Sequence, residues 1–225
     1  QPLRCNALLA SFYSDEFVTI YHGDCRVIWP QLAHADLLLT DPPYGIEYNA
    51  SKQNLRRNKT YCDIAGDSDV DLARFALSML WNVSHAVVFG ANCFPHLLPH
   101  RGRWICWDKR TCEEADKAIG SPFELAWMNK RDGYDKIIRK MHGGWINADG
   151  GKRVHPTQKP SGLFCEIIND VFPDVTTVID PFMGSGSVLL AAKRDNRRAI
   201  GIEVDEKYCE AAADRLRQGV FNFAG

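Results

Sequence analysis

Residues 178–189 read VIDPFMGSGSVL. An apolar, β-branched run ends in the acid Asp180, passes through a glycine turn and opens an apolar, alanine-rich helical pattern. A strand that turns on glycine into a helix lets a ligand approach the backbone closely and lie near the helix N-terminus, as in a nucleotide cradle. A G-x-G turn can also be a plain tight connection, so the turn alone names no ligand. The next strand pattern, 199–204, reaches Glu203, which stands 19 residues after Gly184. That spacing suits a carboxylate accepting hydrogen bonds from a ribose. An NAD-dependent oxidoreductase would carry the same pair. Against NAD, the position three after Gly186 is Leu189 rather than glycine, and Asp180 sets an acid where the turn meets the ligand. An anionic pyrophosphate is repelled there, whereas a cationic sulfonium carrying a free amino group is attracted. S-adenosylmethionine is the better fit.

Outward from this unit, short apolar segments recur at 17–21, 35–40, 86–90, 104–107, 123–128, 177–180 and 199–204. Helical patterns lie between several of them. The clearest sets Leu72, Phe75, Met79, Leu80 and Val83 at helix-face spacing. The last helix starts on Asp205 as N-cap with Glu206 in its first turn. It runs Tyr208, Cys209, Ala212 and Leu216 along one side and stops at Gly219. Alternation of this kind predicts an α/β fold, a doubly wound and mostly parallel sheet with helices on both faces. A length of 225 residues fits one domain spanning 1–225. Ligands of such sheets bind beyond the carboxyl ends of the strands, which singles out a second strand end, TDPPY at 40–44.

The prolines of Asp41-Pro42-Pro43-Tyr44 donate no hydrogen bonds and stiffen the turn, so carbonyls at this strand end are left as outward acceptors. With the Asp41 carboxylate they form a rigid pair of acceptors about as wide as an amino group, and the Tyr44 ring offers a stacking platform. The exocyclic amine of a nucleobase is a poor nucleophile because its lone pair is delocalised into the ring. Two acceptors holding its two N–H bonds draw the nitrogen toward tetrahedral geometry and stabilise the positive charge that grows as it attacks a methyl donor. A base must leave the duplex to reach such a pocket. The plain alternative is a strand followed by a stiff turn.

Composition narrows the classes. Eight cysteines occur with no C-x-x-C pair and no histidine at ligand spacing, so no metal site is expected and the thiols read as reduced. No apolar run approaches the ~18 residues of a membrane helix, and the N-terminus lacks the pattern of a signal peptide. A soluble, cytoplasmic protein is expected, and Gln1 in place of an initiating Met suggests a start upstream or processing. The net charge of -1 leaves anion binding to local patches. One lies at 51–59 (Lys52, Arg56, Arg57, Lys59) and one at 130–140 (Lys130, Arg131, Lys136, Arg139, Lys140). Charge alone equally allows two solvated loops.

These motifs resemble the S-adenosylmethionine-dependent amino-group DNA methyltransferases, in the permuted group whose catalytic motif precedes the cofactor motif. The likeness runs from His22-Gly23-Asp24-Cys25 through Asp41-Pro42-Pro43-Tyr44-Gly45 and His155-Pro156-Thr157-Gln158-Lys159-Pro160 to Asp180-Pro181-Phe182-Met183-Gly184-Ser185-Gly186 and Gly201-Ile202-Glu203. The resemblance implies a Rossmann-like methyltransferase fold in which Asp180 and the turn after it (Phe182, Gly184, Ser185, Gly186, Ser187) hold the methionine part. Glu203, with Val204 beside it, would take the ribose, and Asp24 with Cys25 the adenine. Lys159 falls near the methionine end, and Asp41 borders the cofactor as well as the target. Asp24 as a helix cap over 25–33 and Lys159 as a solvated side chain remain the plain alternatives.

Within the family these motifs resemble, a motif opening on Asp usually goes with N6 of adenine and one opening on Ser with N4 of cytosine, so the resemblance implies N6-adenine methylation within a short sequence through Asp41, with N4-cytosine as the alternative. C5 methylation would need a cysteine nucleophile after proline, and no Pro-Cys pair occurs. A catalytically inactive DNA-binding relative would have lost motif residues, which here are all present. Double-stranded DNA is the expected partner, met through 51–67 beside the catalytic turn and through a target-recognition insertion at 111–151, with Arg56, Arg57, Lys130, Arg131, Lys136, Arg139 and Lys140 as contacts. So short a reading segment suggests a homodimer, and the setting is a prokaryotic cell or a phage within its host, with or without a restriction partner.

Overall fold

The structure is a computed structural model that describes residues 9–44, 68–110, 121–141 and 158–218. Its strands are β1 (Tyr13–Ser14), β2 (Val18–His22), β3 (Ala35–Thr40), β4 (Val83–Phe89), β5 (Arg103–Asp108), β6 (Phe123–Met128), β7 (Lys136–Arg139), β8 (Thr177–Asp180) and β9 (Arg198–Glu203). The α-helices are α1 (Cys25–Ile28), α2 (Asp71–Ser78), α3 (Ser161–Glu166), α4 (Ser187–Arg194) and α5 (Glu206–Arg217). The described strands form one sheet in the order β1-β2-β9-β8-β3-β4-β6-β5-β7. Strands β2, β9, β8, β3 and β4 pair in parallel, β1 and β6 run against their neighbours, and β7 lies parallel to β5. The mostly parallel, two-faced α/β sheet expected from the alternation is what forms.

Period-two burial explains why the sheet is covered on both sides. Leu37 and Leu39 enter one core with Val87, Phe89 and Val178, against α3, α4 and α5. Leu38 enters the other with Ala86, Val88 and Ile179, against α1 and α2. All three leucines are fully buried, each contributing about 1.5–3 kcal/mol from apolar surface removed from water. An unbroken apolar run is the mark of a strand covered on both faces, and β3 is central. From β3 the chain proceeds outward to β4, and from β8 it proceeds the other way to β9. The connections therefore reverse between β3 and β8, the switch point at which open α/β sheets bind ligands.

Several local expectations are corrected. The helix pattern over 72–83 ends at Ser78, and Val83 is the first residue of β4, because the short 3-10 turn Leu80–Asn82 intervenes. The helix expected over 25–33 stops at Ile28, and a 3-10 turn, Trp29–Gln31, follows it around Pro30, whose ring disfavours a continued α-helix. Strand β7 occupies part of the basic stretch read as a DNA-contact loop. Ile138 is its one buried residue, and its charged, exposed neighbours hid the strand pattern. Both β6 and β7 fall within 111–151, so that stretch supplies part of the sheet as well as any reading surface. Among the described residues, no helix is long and apolar enough to cross a membrane.

Gly201, in the middle of β9, has a packing reason. A Cβ there would stand 2.4 Å from Met183 Sδ and 2.6 Å from Leu189 Cδ2, so an added methyl would push both side chains aside where the glycine turn and α4 close onto the strand. Replacement by alanine is expected to cost about 1–3 kcal/mol. For a chain of this size that lowers the thermal midpoint by about 2–12 °C. An unchanged midpoint would show that Met183 and Leu189 do not close on β9 in this way.

Candidate active site

Adjacent parallel strands β2, β9, β8 and β3 each deliver a carboxylate at or just past their carboxyl ends: Asp24, Glu203, Asp180 and Asp41. At ~4.8 Å per strand the row spans about 14 Å. All four line one cavity of about 350 Å³, together with Phe182, Tyr44, Lys159 and Tyr208. Seven carboxylates line it against the cations Arg26 and Lys159, so its field favours a positively charged occupant.

The centre of the row is built by β3 and β8. Thr40 Oγ1 donates to Asp180 Oδ1 at 2.7 Å, and the Phe182 amide donates to the same oxygen at 3.1 Å. Among the described residues both of these bonds fall on Oδ1, which leaves Oδ2 for a ligand. Burial pushes the Asp180 carboxyl up to about 7. The Thr40 and Phe182 donors oppose that rise, while Asp41 and Glu203 add to it. Gly184 and Gly186 hold φ of +50° and +74°, a conformation that explains the glycines of the turn. Glu203 is pinned through both oxygens, Oε2 by the Gly184 amide and Oε1 by the Asp205 amide, each at 2.9 Å. Arg215 of α5 reaches back to the Ser185 carbonyl at 2.5 Å and to the hydroxyls of Ser185 and Ser187 at 3.1 and 3.3 Å. The turn is thereby fixed from behind.

Asp41 lies between two donors. Lys159 Nζ pairs with Oδ2, and the Tyr44 hydroxyl donates to Oδ1 at 3.2 Å. Tyr44 packs so closely on Gly90, just after β4, that a Cβ there would stand 2.3 Å from its Cε1. Lys159 is 6% exposed and also meets Glu124 Oε2 at 3.1 Å, while Lys109 Nζ pairs with Glu124 Oε1. Burial disfavours the Lys159 charge, yet Asp41 and Glu124 outweigh it and hold the ammonium well above its ordinary range. Burial would likewise raise Glu124, but the ammoniums of Lys159 and Lys109 bring it down to about 2. Asp41 is pushed upward, by burial and then by Glu124, because Lys159 is divided between two carboxylates.

The structure gathers the expected residues Asp41, Pro42, Pro43, Tyr44, Lys159, Asp180, Phe182, Gly184, Ser185, Ser187, Glu203 and Val204 around the cavity, with Gly186 in the same turn. Lys159 is no solvated side chain. Asp24 and Cys25 border the cavity too, but Asp24 caps α1 through the Arg26 amide at 2.8 Å and forms a two-point pair with the Arg26 guanidinium. Burial raises the Cys25 and Cys209 thiols to about 12, far from a thiolate nucleophile.

The basic candidates divide. Arg56 and Arg57 lie outside the described residues, as do 111–120 and 142–151 of the expected insertion. Lys130 and Arg131 follow the carboxyl end of β6, which runs against β4, so they emerge where the parallel strands begin, at the opposite end of the sheet from Asp41. Lys130 Nζ is also spent on the Val171 carbonyl at 3.0 Å and lies over the Phe172 ring. Both therefore stand at the end of the sheet away from the cavity. Lys136, Arg139 and Lys140 belong to or follow β7, whose carboxyl end lies beside Asp108 on the Asp41 side, with Lys140 paired to Glu166 at 3.1 Å. Glu124 and Lys109 were missed. The available signal was an acid within the apolar run FELAWM.

Asp180 favours the fold when protonated, because its carboxyl rises from 3.8 to about 7. This contribution is complete below about pH 4, and it is lost as pH rises through about 7, since the unfolded chain releases its proton first. Glu203 and Asp41, also raised, tilt stability the same way. Asp15 and Glu124, held at about 2, act oppositely but only below about pH 4.5. Urea unfolding of the ligand-free protein should therefore show stability falling from about pH 5 to about pH 8, with most of the slope gone in Asp180→Asn. An equally steep slope in the variant would remove Asp180 as its source.

Comparison with known proteins agrees with this architecture. Residues 99–214, just over half of the chain, match the family model of the N6/N4 DNA methylases. The type II methyltransferase M.HpaI of Haemophilus parainfluenzae is 40% identical over 215 residues, covering 80% of this chain and 68% of its own length. Among solved structures, the cytosine-N4-specific PvuII DNA methyltransferase superposes with a TM-score of 0.62 at 15% identity, over 96% of this chain and 90% of its own. The M1.HpyAVI–S-adenosylmethionine complex superposes with a TM-score of 0.54 at 21% identity, over 88% and 98%. At such identities the structural likeness is one of fold. The family match and the 40% identical relative carry the assignment: this chain belongs to the N6/N4 DNA methylase family, whose members methylate DNA with S-adenosylmethionine.

Proposed function

We propose that the chain methylates N6 of adenine in a short double-stranded DNA sequence, with Asp41 as the residue that accepts the target amine. The observation that carries this reading is the seat of Asp41: it flanks the β3–β8 switch point next to Asp180, inside an acidic cavity, and is followed by two prolines and Tyr44. The donor set fits S-adenosylmethionine. Asp180 Oδ2 is available for a cation, Glu203 is oriented by two amides toward a ribose diol, and Phe182 and Tyr208 offer apolar surface. Bound there, the cofactor supplies a methyl carbon on a positively charged sulfur.

Asp41 Oδ1 accepts one amine N–H and a proline-stiffened carbonyl of the turn accepts the other, which localises the lone pair on nitrogen. With the cofactor held by Asp180 and Glu203, that pair would take the methyl group, and the C–S electrons would stay with the donor as a neutral thioether. The nitrogen then carries one proton too many. Asp41, raised by burial, is suited to take it and pass it to water. The Asp in the first position of Asp41-Pro42-Pro43-Tyr44 favours adenine by family resemblance. The cytosine-N4 specificity of the PvuII enzyme keeps N4-cytosine as a second reading.

DNA is met on the Asp41 side of the sheet, through 51–67, through the part of 111–151 beside the β7 end, and through Lys136, Arg139 and Lys140. The whole chain acts as one catalytic domain, within a bacterial or phage-infected cytoplasm where its DNA lies, and a second copy completes a reading surface too short on its own. Asp41→Ala should bind S-adenosylmethionine within about tenfold of the parent yet lose at least about 10³-fold in methyl transfer. With methyl-labelled cofactor and plasmid DNA, nucleoside analysis of the parent should yield 6-methyladenine. A yield of 4-methylcytosine would move the target to the second reading, and full turnover by Asp41→Ala would overturn the role of Asp41.

A further inference from the structure

The carboxylate row does not end at Asp41. Beyond it, across β4 and β6 to β5, charge alternates in one hydrogen-bonded line: Asp41, Lys159, Glu124, Lys109. Glu124 is the second residue of β6. Because β6 runs against β4, its amino end, rather than its carboxyl end, arrives among the strand ends of the site. Lys109 directly follows β5, whose last residue, Asp108, pairs with Phe123. Two neighbouring strands of opposite direction are thus needed to bring this acid and this base side by side.

A buried ion pair is a weak source of stability, because desolvating both charges offsets their attraction. A line of four needs another reason. A lysine alone against Asp41 would bind its carboxylate tightly, weaken it as a hydrogen-bond acceptor and compete with an incoming amine. Glu124 takes part of the same ammonium through Oε2 at 3.1 Å, and Lys109 keeps Glu124 ionised and aimed through its other oxygen. Lys159 is also held over the Phe89 ring, 5.1 Å from its centroid, which limits where the ammonium can go.

We propose that Glu124 is a positioning residue for methyl transfer: anchored by Lys109, it draws the Lys159 ammonium partly away from Asp41 Oδ2 and so keeps the Asp41 carboxylate a strong acceptor for the target amine. The inference rests on the reading of Asp41 as that acceptor. Among the described residues, the groups that face Asp41 are Lys159 from the segment before α3, Glu124 from β6, Tyr44 from its own turn, Asp180 from β8 and, farther along the row, Glu203 from β9, while β4 supplies the Phe89 ring. Asp180 and Glu203 act on cofactor affinity, so a rate at saturating cofactor and DNA isolates the line through Lys159.

The test is the pH profile of single-turnover methylation, with labelled S-adenosylmethionine and DNA both saturating, for the parent, Glu124→Gln, Lys109→Met and the double variant. Glu124→Gln leaves Lys159 wholly to Asp41. The acid limb should move down by about one pH unit and the plateau rate should fall by more than about tenfold, with the KM for cofactor changed less than about threefold. Lys109→Met leaves Glu124 less neutralised, so the limb should move up instead. In the Glu124→Gln background, Lys109→Met should add nothing. Thermal midpoints and cofactor affinity report whether each variant folds, and should Glu124→Gln fail to fold, the upward shift in Lys109→Met alone decides. Limbs that stay in place, or that move the same way in both single variants, overturn the role of Glu124. Loss of methylation in Asp41→Ala beside unshifted limbs would overturn only this inference, whereas turnover by Asp41→Ala would remove the reading beneath it.

Discussion

The hydrogen bond from Thr40 to Asp180 joins the two halves of this protein's chemistry. Thr40 ends the strand that leads to Asp41, and Asp180 ends the strand that leads to the glycine turn. The chain reverses its direction of travel across the sheet between those strands, and the helices that follow depart to either side of the opening. At 2.7 Å the bond fixes the relative height of two strand ends, and with them two carboxylates that repel one another in a buried place. A fold that brings such acids together is energetically poised for a cationic ligand. S-adenosylmethionine, with a sulfonium and an ammonium, has that character.

Seen along the strand ends, the site is a sequence of charges set by strand order rather than by sequence order. Asp24, Glu203, Asp180 and Asp41 follow the order β2, β9, β8, β3, and Lys159, Glu124 and Lys109 continue it toward β5. The acidic half suits a cationic cofactor, and in the proposed reading the alternating half adjusts the acceptor of the target amine. The outer helices serve this row. Arg215 of α5 holds the glycine turn by its carbonyl and hydroxyls, and Gly201 lets Met183 and Leu189 close beneath it.

The part of this arrangement legible in the sequence is the part carried by local patterns. Strands 35–40, 123–128 and 177–180 are found with the expected bounds, Asp205 caps its helix through the Lys207 amide, and Asp41, Asp180 and Glu203 converge because strand-end residues must share one edge of a parallel sheet. What local patterns could not carry is direction and pairing. Nothing in FELAWM says that its strand runs against its neighbour, so Glu124 arrives at the site unannounced and Lys130 departs to the far end. Nor does a charge run say where its charges point. Lys130 bonds to the Val171 carbonyl, Lys140 pairs with Glu166, and Ile138 turns part of the same stretch into a strand.

The central claim is that the β3–β8 opening recognises the positive charge of the cofactor through Asp180. The most direct measurement is isothermal titration of the protein with S-adenosylmethionine at pH 7, in buffers of different ionisation enthalpy, which counts protons exchanged on binding. With the Asp180 carboxyl at about 7 before binding, close to half a proton should be released as the ligand draws the group into its ionised form, and Asp180→Asn should release none. Proton uptake, or a release that the variant retains, would contradict the account.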